Sequence, residues 1–158
     1  MEFQPLDGRV ISYWRVHSLI STAVLLFLAL AGGGILAFKV PALIPVIIGV
    51  WLSFLLFRIF WLFWYPTRAY RAWGYRIDDK VLETRQGIWF RTVMLLPLSR
   101  LQHVDLHRGP MERGFGLATL LLHTAGTMNA TIEIPGLEAE WAARLRDHLV
   151  AVGGDDGV

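Results

Sequence analysis

The 158-residue chain has no cysteine, which excludes disulfide bridges, thiolate metal sites and cysteine nucleophiles. Charge is missing in two long stretches: no Asp, Glu, Lys or Arg falls between Val16 and Phe38, nor between Val40 and Phe57. Neither stretch offers an acidic partner for a cation, so an ion path through them would lack its counter-charge. Signatures of chemistry are missing as well. There is no Gly-x-Ser-x-Gly, no phosphate loop and no His-Glu-x-x-His. The adjacent Asp78 and Asp79 fall in an expected turn, and nothing sets a second carboxylate across a cleft from them, as general acid–base work requires. No catalytic residue, cofactor site or metal site is therefore expected, and the chain does not read as an enzyme.

What is present in abundance is apolar: 54% of the residues are hydrophobic. Val16–Phe38 as a helix would reach about 34 Å, against a hydrocarbon core of roughly 30 Å. The run continues past Ala29-Leu30-Ala31, where a signal peptide would be cut, and a second run follows almost at once, so an uncleaved span is expected. The second span is expected over about 42–64, interrupted only by Arg58, whose side chain can snorkel to the interface. Pro41 and Pro45 suit the first turn of that helix. The short connection predicts antiparallel neighbours, with Ala29 and Gly33 facing Gly49 and Ser53. Pro66 is expected to close the span. Arg9 and Arg15 precede the first span, Arg58, Arg68, Arg71 and Arg76 lie at or after the end of the second, and the loop has only Lys39. The positive-inside rule then predicts an inner (plasma) membrane protein with both termini in the cytoplasm.

Charge is also uneven along the chain. Residues 66–113 carry nine basic and five acidic side chains, whereas 114–158 carry two basic and six acidic. A pI near 9.3 would suit a nucleic-acid binder. Because the basic residues cluster just after a span, contact with the lipid bilayer is the simpler reading, and no nucleic-acid partner is expected.

From Thr67 the period changes. Tyr75–Asp78 and Val81–Gln86 alternate about a turn at Asp78-Asp79-Lys80. Ile88–Leu98 reads as a third strand, Leu101–Leu106 as a fourth, Leu117–Thr124 as a fifth and residues 130–134, after a turn at Ala125-Gly126-Thr127, as a sixth. The glycine-rich stretch Gly109–Gly116 reads as an irregular bend. His103 and His107 are too far apart on a strand to share an ion, and no zinc site with His123 is expected. Leu137, Trp141, Leu145, Leu149 and Val152 recur at helical spacing, between Pro135-Gly136 and Gly153-Gly154. Trp141 is expected to plug one end or edge of the sheet. Three segments result: a hairpin of two transmembrane helices with its N-terminal extension (1–66), a β-rich pleckstrin-homology-like barrel capped by a C-terminal helix (67–152), and a flexible tail (153–158).

Five blocks occur in order: Tyr75-Arg76-Ile77-Asp78-Asp79, Gly87, Leu96 through Val104, Glu112-Arg113-Gly114-Phe115-Gly116-Leu117-Ala118, and Thr124-Ala125-Gly126. Together they resemble the bacterial pleckstrin-homology (PH) domain of the YdbS-type membrane proteins, over about residues 65–152. The resemblance implies a membrane-tethered cytoplasmic module with no catalytic activity attached. Its expected role is non-enzymatic scaffolding with another membrane protein, either a related PH-domain protein or a second copy of itself. The alternative is a binder of anionic lipid headgroups. The residues expected to dock a partner are Arg108, Met111, Glu112, Arg113 and Phe115, because interfaces are enriched in Met, aromatics and Arg. Arg68, Arg71 and Arg76 are expected to form a basic face towards the membrane surface.

Overall fold

The computed structural model describes residues 3–78, 80–124 and 131–155. The turns expected at Asp79 and at Ala125-Gly126-Thr127, the start of the sixth strand and the last three residues of the tail lie outside the described residues. The chain divides into two compact units, and the division is not the expected one at residue 66. The N-terminal residues through Tyr13 belong with Arg68 onward, and Trp14–Thr67 stands as the other unit.

The second of these units is built from the apolar helices α1 (Arg9–Lys39) and α2 (Ile44–Ala72), joined through a 3₁₀ turn at Pro41–Leu43. Both have the length and hydropathy to cross a bilayer. Pro66 does not close the span but sits inside α2. It forfeits one backbone hydrogen bond, and the turns on either side keep theirs. The contact between the helices runs through Gly33, where a Cβ would lie 3.2 Å from Trp51 Cζ2 and 3.3 Å from Ile47 Cγ2. Gly49, expected to face it, would meet nothing within 4 Å.

Arg58 does more than snorkel. Its Nε donates to Thr22 Oγ1 at 2.9 Å, and its Nη2 to Ser21 Oγ at 2.9 Å and to the Ser18 carbonyl at 3.3 Å. The guanidinium therefore ties α2 to α1 through hydroxyls and a carbonyl, not carboxylates. Arg58→Leu is expected to weaken the helix pair by about 1–2 kcal/mol, since interhelical hydrogen bonds in membranes average well under 2 kcal/mol each. Unfolding of the full chain in mixed micelles measures this. An unchanged unfolding free energy would show that the tie contributes nothing.

The other unit is a PH-like pair of sheets. β1 (Gly74–Ile77), β2 (Val81–Gln86) and β3 (Thr92–Pro97) form one antiparallel sheet in that order. β4 (Leu101–His107), β5 (Leu117–Thr124) and β6 (Thr131–Glu138) form the second. Between β4 and β5 lies α3 (Pro110–Phe115), and α4 (Ala139–Asp155) follows β6. Alternation sends Leu82 and Leu96 inward from the first sheet and Leu120, Leu122 and Ile134 inward from the second. Ala142, Leu145 and Leu149 close the core from α4. The helical stripe is as expected except at its ends. Leu137 is the last buried residue of β6, and the helix runs on through Gly153 and Gly154 to Asp155.

Trp141 is half-buried, and its indole N–H donates to the Tyr75 hydroxyl at 2.8 Å, linking α4 to β1. Burial pushes the Tyr75 hydroxyl above its ordinary pKa, against the opposing pull of the Trp141 hydrogen bond. A raised value in the fold means that stability is full below about pH 10 and falls as pH rises from there through the raised value. Trp141→Phe should cost about 1 kcal/mol, the worth of one hydrogen bond. Tyr75→Phe should remove this contribution to alkaline destabilisation. Thermal melts between neutral pH and pH 11 check both.

The N-terminal residues supply the largest departure from expectation. Gln4 and Tyr75 exchange backbone hydrogen bonds of 2.8 and 3.0 Å, so the segment pairs with the edge of β1. Three residues later the Asp7 N–H donates to the Gly136 carbonyl in β6 at 3.0 Å. The segment thus straps the two sheets together, with Leu6 and Val10 buried between them. Gly136 makes room for it: φ is +65°, and a Cβ there would come 2.3 Å from Val10 Cγ2. Asp7 also caps α1, accepting from the Arg9 backbone N–H at 2.8 Å.

Candidate functional site

The segment expected to be an irregular docking loop folds as α3, because Glu112 organises it. Its carboxylate accepts from the Gly109 backbone N–H and from the Thr119 hydroxyl, both at 2.6 Å, and the residue is buried. Gly116 ends the helix in the left-handed conformation, φ +68°. Phe115 meets Tyr13 edge-on, ring centroids 6.1 Å apart, and Met111 is half-buried. Arg108 and Arg113 are exposed, with Arg108 Nε donating to the Leu117 carbonyl at 3.3 Å. Of the expected docking set, Glu112 is thus buried in holding α3, Met111 and Phe115 are half-buried, and Arg108 and Arg113 are the exposed members.

The basic set divides differently. Arg76 pairs with Glu83 at 2.6 Å across β1 and β2, and its guanidinium lies 5.5 Å from the Phe3 ring. Arg68 and Arg71, one turn apart on α2, instead line a cavity of about 350 Å³ together with Arg85 of β2 and Arg91. Ala72, Gly87 and Ile88 complete its wall, and among the described residues no carboxylate lines it. Four arginines line this one cavity because the last turns of α2 approach the end of β2 and the turn after it. Arg85 and Arg91 come from the strand region, 14 or more residues away from Arg71 in sequence, so proximity along the chain does not reveal the cluster. Each guanidinium is a planar fork suited to two oxygens of one phosphate. Phe3 lies 4.5 Å from the Arg85 guanidinium and helps to fix it.

The turn that supplies Ile88 and Arg91 also corrects the third strand. β2 pairs with β3 from Gln86↔Thr92 onward, so residues 87–91 form the hairpin loop rather than the start of a strand. Trp89 and Phe90 stand at its tip, 73% and 89% exposed.

Asp105 lies between His103 Nε2, 2.7 Å away, and His123 Nε2, 3.3 Å away, and His123 Nδ1 is 2.9 Å from Thr131 Oγ1. Among the described residues no group of three His, Asp or Glu side chains is arranged to hold a metal ion. A second cavity, about 310 Å³, lies between Thr84 and Met94 on the first sheet and Thr131 and Glu133 on β6, and holds no comparable convergence of charge.

The family profile described as "Bacterial PH domain" matches residues 21–152. The chain belongs to the bacterial PH family. The transmembrane protein YdbS of Bacillus subtilis (strain 168) is 34% identical over 145 residues, covering 90% of this chain and 86% of that one. No solved structure matches the chain significantly. The bacterial PH family is not a known enzyme family, and this member is a transmembrane protein whose two apolar helices accompany a PH-like domain. In this bacterial PH domain, Glu112 and Gly116, part of the block that carries the resemblance, shape α3.

Proposed function

We propose that this bacterial PH protein is a membrane-anchored, non-enzymatic binding module whose four-arginine cavity takes the phosphate of an anionic lipid headgroup. The proposed setting is the cytoplasmic leaflet of the plasma membrane, with both termini cytoplasmic, as the arginines flanking the two spans favour. The observation that carries the reading is that Arg68, Arg71, Arg85 and Arg91 line one cavity, with no carboxylate among the described residues lining it. Basic residues near an anionic leaflet are worth about 1 kcal/mol each. The expected alternative, assembly with a related PH-domain protein, a second copy or another membrane protein through the α3 segment, rests on the exposed Arg108 and Arg113 alone and stands second.

The test purifies the full chain from membranes containing phosphatidylglycerol and quantifies the lipid it retains. Arg71→Ala/Arg91→Ala should lower retention about tenfold or more, the consequence of losing about 2 kcal/mol. Arg108→Ala/Arg113→Ala removes the same charge elsewhere and should leave retention unchanged. Equal retention by all three proteins would defeat the headgroup reading.

A further inference from the structure

Outside the membrane helices, the large apolar side chains exposed among the described residues of the C-terminal unit are Trp89, Phe90, Val93, Leu95 and Val150. Four of these five fall on β3 and the loop leading into it, so they form one local feature rather than a scatter. Val93 lies opposite Arg85 in the β2–β3 register, which places the apolar strip and one cavity arginine on the same sheet face. The loop itself is divided: Ile88 and Arg91 line the cavity, while Trp89 and Phe90 stand outside it.

We infer that Trp89 and Phe90 are a membrane anchor, two rings that enter the interfacial layer of an anionic bilayer while the adjoining arginines gather lipid phosphates. The inference rests on the headgroup reading and extends it from a polar pocket to a two-part surface. Aromatic rings partition into the headgroup–acyl boundary, where an apolar body and nearby cations are both accommodated. A cavity built for free phosphate has no use for two large, mostly exposed rings beside it. A protein partner would be expected to bring carboxylates to four arginines, whereas an anionic bilayer offers phosphate and apolar depth together. The occupant is therefore the bilayer.

The absence of native cysteine makes the test direct. Thr92→Cys, exposed and next to the tip, is labelled in the full chain with an environment-sensitive fluorophore, and Arg113→Cys serves as a remote control. Each is reconstituted into vesicles of phosphatidylcholine with or without phosphatidylglycerol, using brominated acyl chains as quencher. The label at 92 should shift to the blue and be quenched when phosphatidylglycerol is present. Trp89→Ser/Phe90→Ser should return it to the level of the label at 113. A label at 92 in water in both vesicle types overturns the anchor, and if Arg71→Ala/Arg91→Ala still loses lipid the headgroup reading survives it. A label shielded from water but not quenched by brominated chains means a protein contact and also overturns the anchor. Release of the label by millimolar inorganic phosphate would make the ligand a soluble anion and overturn it as well.

Discussion

Leu6→Ala/Val10→Ala is expected to destabilise the C-terminal unit by about 4–5 kcal/mol, although Leu6 precedes α1 and Val10 lies in its first turn. Both side chains are buried, at 2% and 0% exposure, between the sheets they strap together. Truncating a buried leucine typically costs about 2–5 kcal/mol and a valine somewhat less. The sum is comparable to the whole stability of a small domain, about 5–15 kcal/mol. The strap also contributes backbone bonds to Tyr75 and Gly136, which the double substitution leaves in place. A fragment starting at residue 67 would lose those too, and is expected not to fold. Protease resistance of residues 74–155 in the full, detergent-solubilised chain measures the effect. Wild-type resistance in the double variant would show that the strap is incidental.

The strap also shows where sequence reading stopped. The two spans, the order of strands and helix and the stripe of α4 all follow from periodicity, because each element buries one face and repeats the pattern that buries it. Residues 3–8 have no such pattern. Their role depends on two partners more than 70 residues away, and Gly136, the sign of their passage, looks like an ordinary turn glycine. Ile88-Trp89-Phe90 failed in the opposite way: the residues favour strand, but the register with β2 starts only at Thr92, and tertiary pairing overrides local preference. Arg58 has no carboxylate partner in the sequence of either span, but Ser21 and Thr22 serve as acceptors without adding charge to the bilayer. The candidate site was half legible. Arg68 and Arg71 are neighbours on a helix and were named; Arg85 and Arg91 join them only through the fold, and Arg76 leaves them for Glu83.

Glu112→Ala is expected to cost about 3 kcal/mol, whereas Arg108→Ala/Arg113→Ala should change stability by less than about 0.5 kcal/mol. The contrast separates two roles within one short segment. The Glu112 carboxylate receives the Gly109 backbone N–H on one oxygen and the Thr119 hydroxyl on the other. Hydrogen bonds to a charged acceptor are worth about 1.5–3 kcal/mol each, and removing the acceptor leaves the buried Thr119 hydroxyl without this partner. Loss of the Gly109 bond also frees the start of α3, so the Phe115 ring loses its fixed place against Tyr13. Glu112→Gln keeps one carbonyl acceptor and should fall between the two. Arg108 and Arg113 are exposed, and their removal costs the fold the long 3.3 Å bond from Arg108 Nε to the Leu117 carbonyl. Denaturant unfolding of the C-terminal unit in the full chain provides the measurement. If Glu112→Ala melts like the wild type, the carboxylate does not organise the helix, and the docking role first expected of this segment regains its central residue.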